Sequence, residues 1–140
     1  MNWFSMLLAA VGGAIGAGVR FGIGHGVHML GAPAWTGTLV ANLLGASLCG
    51  ILAGLWMERH GSGWRWRGDR WQQEVLAVGG FCGGLTTLSA LALDAAALWR
   101  QGHAMTAAID LGVHGMVGCA ACALGFLLAR RWVLGRYCTA

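Results

Sequence analysis

Apolar residues run along this chain in four long stretches, at about residues 3–30, 35–57, 71–99 and 105–129, with polar residues between them. A helix needs about 20 apolar residues to cross ~30 Å of hydrocarbon, so each stretch is long enough to span a membrane. The first is interrupted by Arg20, His25 and His28. Tryptophans mark the limits: Trp3, Trp35, Trp56, Trp71, Trp99 and Trp132 all fall at proposed span ends. Indole prefers the interface, with its ring in the apolar zone and its N–H in the wet one. A soluble core would instead set large aromatics in mid-helix. The stretch 58–70 is the one polar connection and reads as a loop; the other links are short. The pattern predicts a single all-α domain over residues 1–140, with four transmembrane helices in a compact antiparallel arrangement.

Composition agrees. Charged residues make up 10% of the chain, where soluble domains are nearer a quarter. The glycines, 25 in all, sit among Leu, Ala and Val rather than Ser or Gln, which argues against a disordered low-complexity chain. Many stand four apart: Gly12 and Gly16, then Gly18, Gly22 and Gly26, then Gly50 and Gly54, then Gly79 and Gly83. Gly112, Gly115 and Gly118 stand three apart. Such spacing lays small residues along one helix face and lets backbones approach closely.

The formal charge of +4 comes entirely from arginine. Most arginines lie in the 58–70 stretch and the C-terminal tail, which is how topology charges are distributed; nucleic-acid binding is not expected. Of the cysteines, Cys49, Cys82, Cys119 and Cys122 lie in apolar runs and read as small hydrophobic residues, with Cys138 in the tail. Cys119 and Cys122 form a C-x-x-C, but no second pair or histidine cluster completes a metal site. The N-terminus lacks the basic stretch of a signal peptide. No dinucleotide fingerprint or P-loop follows a strand, and no carboxylate pair or nucleophile triad suggests an enzyme.

Three segments depart from plain apolar helix. Residues 13–20 place Arg20 inside a span. Residues 37–45 bury Asn42. Residues 79–89 put two Gly-Gly pairs and Thr86–Thr87 in mid-span, a poor helix by propensity. An unwound stretch at membrane depth survives only where protein buries it or water reaches it. Its freed carbonyls suit a cation, and its half-helix N-terminus suits an anion. The other reading is a glycine-lined crossing with the helix intact.

Together these segments resemble the Fluc/CrcB fluoride channel family. That family carries G-x-x-G-A-x-x-R, G-T-L-x-x-N-x-x-G and G-F-x-G-G-L-T-T-F-S-T-F in its first three helices, matched here by Gly13 to Arg20, Gly37 to Gly45 and Gly80 to Leu91. The resemblance covers all four spans in order, and the third motif is the specific one. It implies a multi-pass protein of the bacterial cytoplasmic (inner) membrane that exports fluoride to relieve its toxicity. It implies a broken third helix and an antiparallel, dual-topology dimer with two pores along the subunit interface. It also implies a structural sodium ion at the dimer centre, held by backbone carbonyls that match Gly83 and Thr86.

Asn42 matches the family's pore asparagine, whose amide can donate to an anion; its other reading is an interhelical hydrogen bond. Thr38, Thr87 and Ser89 join it as candidate pore residues. The family's two pore phenylalanines correspond to Leu88 and Leu91, which have no positive aromatic edge to offer an anion. The usual threonine between them is Ala90. A fourth-helix serine position falls on His114, which can donate an N–H or become charged at low pH. Arg20 is a candidate vestibule charge, or the neutraliser of Asp94 or Asp110, all toward one side of the membrane. Asp94 stands where the family has a glutamate.

Two other classes compete. A four-helix proton-coupled exporter of cationic compounds needs an acid in its first span, and none is there. A non-transporting assembly subunit would pass no ion. Orientation is a separate matter. Arg59, Arg65, Arg67, Arg70, Arg130, Arg131 and Arg136 share the side of both termini, against Arg100 and the deeper Arg20. The positive-inside rule then favours cytoplasmic termini, whereas dual-topology proteins carry little bias. The expectation is nonetheless a homodimer, because one chain holds every main motif; a heterodimer is the alternative.

Overall fold

The computed structural model of the protein describes residues 3–59 and 70–137. Residues 60–69 of the polar connection, with Arg65 and Arg67, and Cys138 lie outside those residues, while its ends at Arg59 and Arg70 are helical. Helix α1 covers Trp3–Met29 and α2 covers Ala34–Arg59. Next, α3 (Arg70–Glu74) runs straight into a π-helical stretch, Val75–Cys82, and then α4 (Gly83–Leu85). After two extended residues come α5 (Leu88–Arg100) and α6 (Ala104–Tyr137). Four segments are long and apolar enough to cross a membrane: Trp3–Met29, Trp35–Trp56, Gln72–Arg100 and Ala104–Gly135.

Two glycines end helices in the same way. Gly31 has φ 74°, donates to His28 O at 2.9 Å, and is followed by Ala32 donating to Val27 O at 3.3 Å. Gly102 has φ 81°, donates to Trp99 O at 3.0 Å, and is followed by His103 donating to Leu98 O at 2.9 Å. Both are Schellman caps, in which a left-handed residue turns its own and the next amide back onto the last carbonyls. They make the short outer turns that reverse α1 into α2 and α5 into α6.

The fourth helix runs past the expected limit at Ala129 and continues to Tyr137. Arg130 and Arg131 do not stop it, because a long side chain can lay its stem on apolar surface. The Arg130 guanidinium sits 5.7 Å from the Phe126 ring centre. The outer surface is apolar. Phe21, Met29, Leu93, Met105, Met116 and Leu128 are all well exposed, and Trp3, Trp99 and Trp132 are exposed near helix ends. Large exposed apolar area of this extent suits lipid rather than water.

Glycine decides how the helices pair. α1 lies against the π-helical stretch and α4, while α2 lies against α6. A methyl group on Gly12 or Gly16 would run into the backbone of residues 76–85, and one on Gly80 or Gly84 into the backbone of α1. On the other pair, a methyl on Gly50 or Gly54 would strike the α6 backbone at Cys122 and Phe126, and one on Gly125 the backbone of α2. The packing face of the third span is thus Gly80 and Gly84, not the expected Gly79 and Gly83. Two consecutive Gly-Gly pairs fit either register from sequence alone. Gly18, Gly22, Gly26, Gly115 and Gly118 meet nothing within 4 Å, and Gly112 meets only a methionine methyl at 3.9 Å; they contribute no packing within the chain.

The third span is bent. Its first half rides on α1, and its second half, α5, packs on α6. The helical course stops at Thr86 (φ −83°, ψ 150°) and Thr87 (φ −152°, ψ 120°) and resumes at Leu88.

Gly16 and Gly18 give a matched test on one helix. Gly16→Ala should lower stability by about 1–3 kcal/mol through overpacking. Gly18→Ala should leave stability unchanged or raise it by up to about 1 kcal/mol through helix propensity. Thermal unfolding in detergent reads both; equal losses for the two variants would contradict the packing described.

Candidate functional site

The polar side chains of α2 are aimed at the start of α5. Thr38 and Asn42 stand four residues apart, on one face. The Asn42 amide pairs with the backbone of Thr87 in both directions: Oδ1 accepts from Thr87 N at 2.8 Å, and Nδ2 donates to Thr87 O at 3.2 Å. Each amide nitrogen has two hydrogens, so one Nδ2–H remains. Asn42 is therefore an interhelical clamp, and its second hydrogen is available to another acceptor.

Thr87 also caps α5. Its Oγ1 accepts from Ala90 N at 3.2 Å and lies 3.0 Å from Ser89 Oγ. The start of a helix carries partial positive charge from its unpaired amides, so this end of α5 favours an anion. Below it, the Thr38 hydroxyl donates to Asp94 Oδ2 at 2.7 Å.

These bonds have a consequence for the carbonyls above. In an unbroken α-helix the Thr87 amide would reach Gly83 O, and the Ala90 amide would reach Thr86 O. Here the first goes to Asn42 and the second to Thr87 Oγ1. Meanwhile the Thr86 N–H and hydroxyl both donate to Cys82 O, each at 2.9 Å. The carbonyls of Gly83 and Thr86 thus lose their helical donors, and Gly83 is exposed on the surface of the chain.

Arg20 opens into a cleft of about 260 Å³ between α1, α2 and α5, with Phe21, Gly24, Gly37, Thr38 and Ala90 on its walls. Gly37 faces Gly24 closely enough that a methyl there would sit 3.0 Å from its Cα. That small-residue crossing leaves the room. Arg20 makes no ion pair with Asp94 or Asp110 among the described residues; it faces the cleft instead. Leu88 is 79% exposed and Leu91 only 7%, so the two leucines point to different surroundings.

His114 is buried and sits apart from the Asn42–Thr87 pair. Its Nδ1 lies 2.9 Å from Asp110 O and 3.2 Å from Asp110 Oδ1. The sequence offered Asp110, with Asp94, only as a possible partner of Arg20 and left this pair out, although the four-residue spacing on one helix was the signal for it. The Thr38–Asp94 bond, between residues 56 positions apart, left no such local signal. Cys119 is exposed and Cys122 half-buried, both free. Among the described residues no three His, Cys, Asp or Glu side chains cluster as metal ligands.

Four long apolar helices, a bent third span and a seam of hydrogen-bonding groups between α2 and α5 define a multi-pass helical membrane protein with a polar path through part of its depth. Residues 7–126 match the family model described as CrcB-like protein, Camphor Resistance (CrcB), and the chain belongs to that family. Its relatives include the fluoride-specific ion channel FluC of Hyphomonas neptunium, 37% identical over 134 residues that make up 94% of this chain and 98% of that protein. The protein of the same name from Xanthomonas euvesicatoria pv. vesicatoria is 33% identical over 135 residues, 96% of each chain. That of Pseudomonas aeruginosa is 32% identical over 134 residues, 96% of this chain and 99% of its own.

Asn42→Leu should cost about 1–3 kcal/mol, because it leaves the half-buried amide of Thr87 without its partner. Thr87→Ala, which removes only the cap, should cost about 1 kcal/mol. Reversible unfolding in mixed micelles, followed by tryptophan fluorescence, would rank them. An Asn42→Leu protein as stable as the parent would mean the clamp carries no weight.

Proposed function

We propose that this protein is a fluoride-selective channel of the bacterial inner membrane that lets fluoride leave the cytoplasm. The carrying observation is the polar seam, in a chain whose family relatives are named fluoride-specific channels. It starts at the Arg20 cleft, passes Thr38 and the spare Asn42 hydrogen, and ends at the capped start of α5 with Thr87 and Ser89. A small, strongly hydrated anion enters an apolar medium only if hydrogen-bond donors replace its water. Arg20 supplies long-range attraction at the mouth. Asn42 and the Thr87–Ser89 hydroxyl pair supply neutral donors deeper in, which bind an anion weakly enough to release it. Leu88, exposed at the start of α5, adds an apolar wall that offers nothing to a larger, more polarisable anion.

The working unit, in this reading, is an antiparallel homodimer with copies inserted both ways. Each chain then offers its exposed third-span face, including Gly83, to the other. The break at Thr86–Thr87 acts as a true interruption of the third helix, and the Gly83 and Thr86 carbonyls of both copies hold one structural sodium ion. The diverted amides of Thr87 and Ala90 support this, since a carbonyl deprived of its helical donor needs another positive partner at membrane depth. An inverted pair offers equivalent carbonyls to a shared ion only at the midplane. When bound, the cation supplies fixed positive charge between the two subunits.

Liposomes loaded with fluoride should empty through the reconstituted protein, as read by a fluoride electrode, while chloride-loaded liposomes stay full. Equal flux of the two anions would rule out a selective fluoride channel. Sodium should survive purification into sodium-free buffer and appear on the axis of a high-resolution dimer map. A continuous helix through Gly83 with no density between the subunits would remove the sodium assignment.

A further inference from the structure

Buried ionisable groups inside a membrane are rare and tend to mark function. The Asp110–His114 pair on α6 is such a group, and the seam described above leaves it unused. Both residues are at least nine-tenths buried, at 4% and 9% exposure. Both Asp110 carboxylate oxygens and His114 Nε2 have no hydrogen-bond partner among the described residues. The backbone oxygen of Asp110 can only accept, so the contact at 2.9 Å puts the imidazole hydrogen on Nδ1. That leaves Nε2 as a bare lone pair in a dry place.

The surroundings are acidic. α6 packs against α2 and α5. From α5 comes Asp94, close enough to Asp110 for their charges to interact. From α2 comes Thr38, whose hydroxyl Asp94 holds; the α2 thiol, Cys49, faces Cys122 further along α6. His103 precedes α6 in the turn, Arg100 ends α5, and Arg20 of α1 stands in the cleft beside Thr38. With His114 neutral, neither the Asp94 nor the Asp110 carboxylate has a cation bonded to it among the described residues.

We propose that Asp110 and His114 form a proton-binding site beside the anion path, and that a proton taken up there speeds fluoride passage through this chain. The step is an equilibrium: a proton from water forms an N–H bond at Nε2, giving an imidazolium that cancels the Asp110 charge. Thr38 and Asn42 then see one negative charge fewer, and an anion meets less repulsion between the Arg20 cleft and the start of α5. Histidine is the side chain whose charge changes most readily near neutral pH, so the proposal is tested across that range. This proposal rests on the fluoride reading, and its test separates the two.

Fluoride efflux from proteoliposomes is measured at about pH 6 and about pH 8, with leak from protein-free liposomes subtracted at each; the parent should be about tenfold faster at the lower pH. His114→Gln should bring that ratio to about one, whatever its absolute rate. Asp110→Asn should make efflux at about pH 8 as fast as the parent at about pH 6, because the charge is gone at both. In parallel, the His114 imidazole resonance of the purified, isotope-labelled protein, assigned by its loss in His114→Gln, should move with pH. A flat parent profile, a faster rate at high pH, or a His114→Gln protein that keeps the ratio would overturn the proposal. So would an imidazole resonance that does not titrate. No fluoride flux at either pH would instead defeat the fluoride reading, and the resonance alone would then decide whether the proton site exists.

Discussion

In the hydrocarbon core of a membrane, every backbone N–H and C=O needs a partner from the protein itself, at several kcal/mol for each one left over. Helices satisfy this automatically, and this chain keeps to it except at Thr86–Thr87. There both residues are extended, and the Thr87 amide would be orphaned if Asn42 did not accept from it; the Asn42 amide donates in turn to the Thr87 carbonyl. The reciprocal Asn42–Thr87 bond is thus the contact on which the rest hangs. It lets α5 restart at Leu88 with a capped end. It aims that end at α2. It also turns two amides away from the Gly83 and Thr86 carbonyls. A leucine at position 42 would satisfy the bilayer and leave the third span with no reason to stay bent.

That bond demands close approach, and close approach is what the glycines provide. Lipid tails are as apolar as leucine, so helices in a membrane gain little from burying leucine against leucine; they gain from tight packing at small residues. α1 reaches the third span backbone to backbone at Gly12, Gly16, Gly80 and Gly84, and α2 reaches α6 at Gly50, Gly54 and Gly125. Gly45 adds to this on the seam itself, where a methyl group would collide with the Thr86 side chain. The glycine at position 45 therefore lets the extended pair sit flush against α2, one turn from Asn42.

Much of this was legible in the sequence, and what was not has physical causes. The four spans were readable because length and apolarity are fixed by bilayer thickness, and tryptophans stand at or next to most of their ends. The apolar pattern marks a span to about Ala129 and is silent on how far the helix goes beyond it; α6 continues to Tyr137, with the Arg130 guanidinium resting on Phe126. Glycine spacing announced close packing but not which glycines would use it: the third span offered two registers, and the first offered five glycines at four-residue spacing, of which Gly12 and Gly16 meet the neighbouring backbone. The seam residues Thr38, Asn42 and Thr87 were identified by motif. Their contacts, 45 and 56 positions apart in the chain, are properties of the packed bundle and have no local signature. The Asp110–His114 pair did have one, in its four-residue spacing, but a nearby arginine offered the more familiar partner.

Charge at one end of the bundle follows the same logic of partners. Arg20, Asp94, Asp110 and His114 each carry or can carry charge at membrane depth, where an unmet charge is expensive. The direct solution would be a salt bridge from Arg20 to an aspartate, which would neutralise the cation and close the cleft. The chain does otherwise. Asp94 takes a neutral hydroxyl from Thr38, Asp110 takes an imidazole from its own helix, and Arg20 keeps its charge on the open side. Such an arrangement is a poor way to stabilise a bundle, since two carboxylates stay near each other with neutral partners only. It is a workable way to hold a positive group at a mouth while keeping the deeper field adjustable. Thr38, which lines the Arg20 cleft and donates to Asp94, is, among the described residues, the one α2 side chain that links the open cation to the acids.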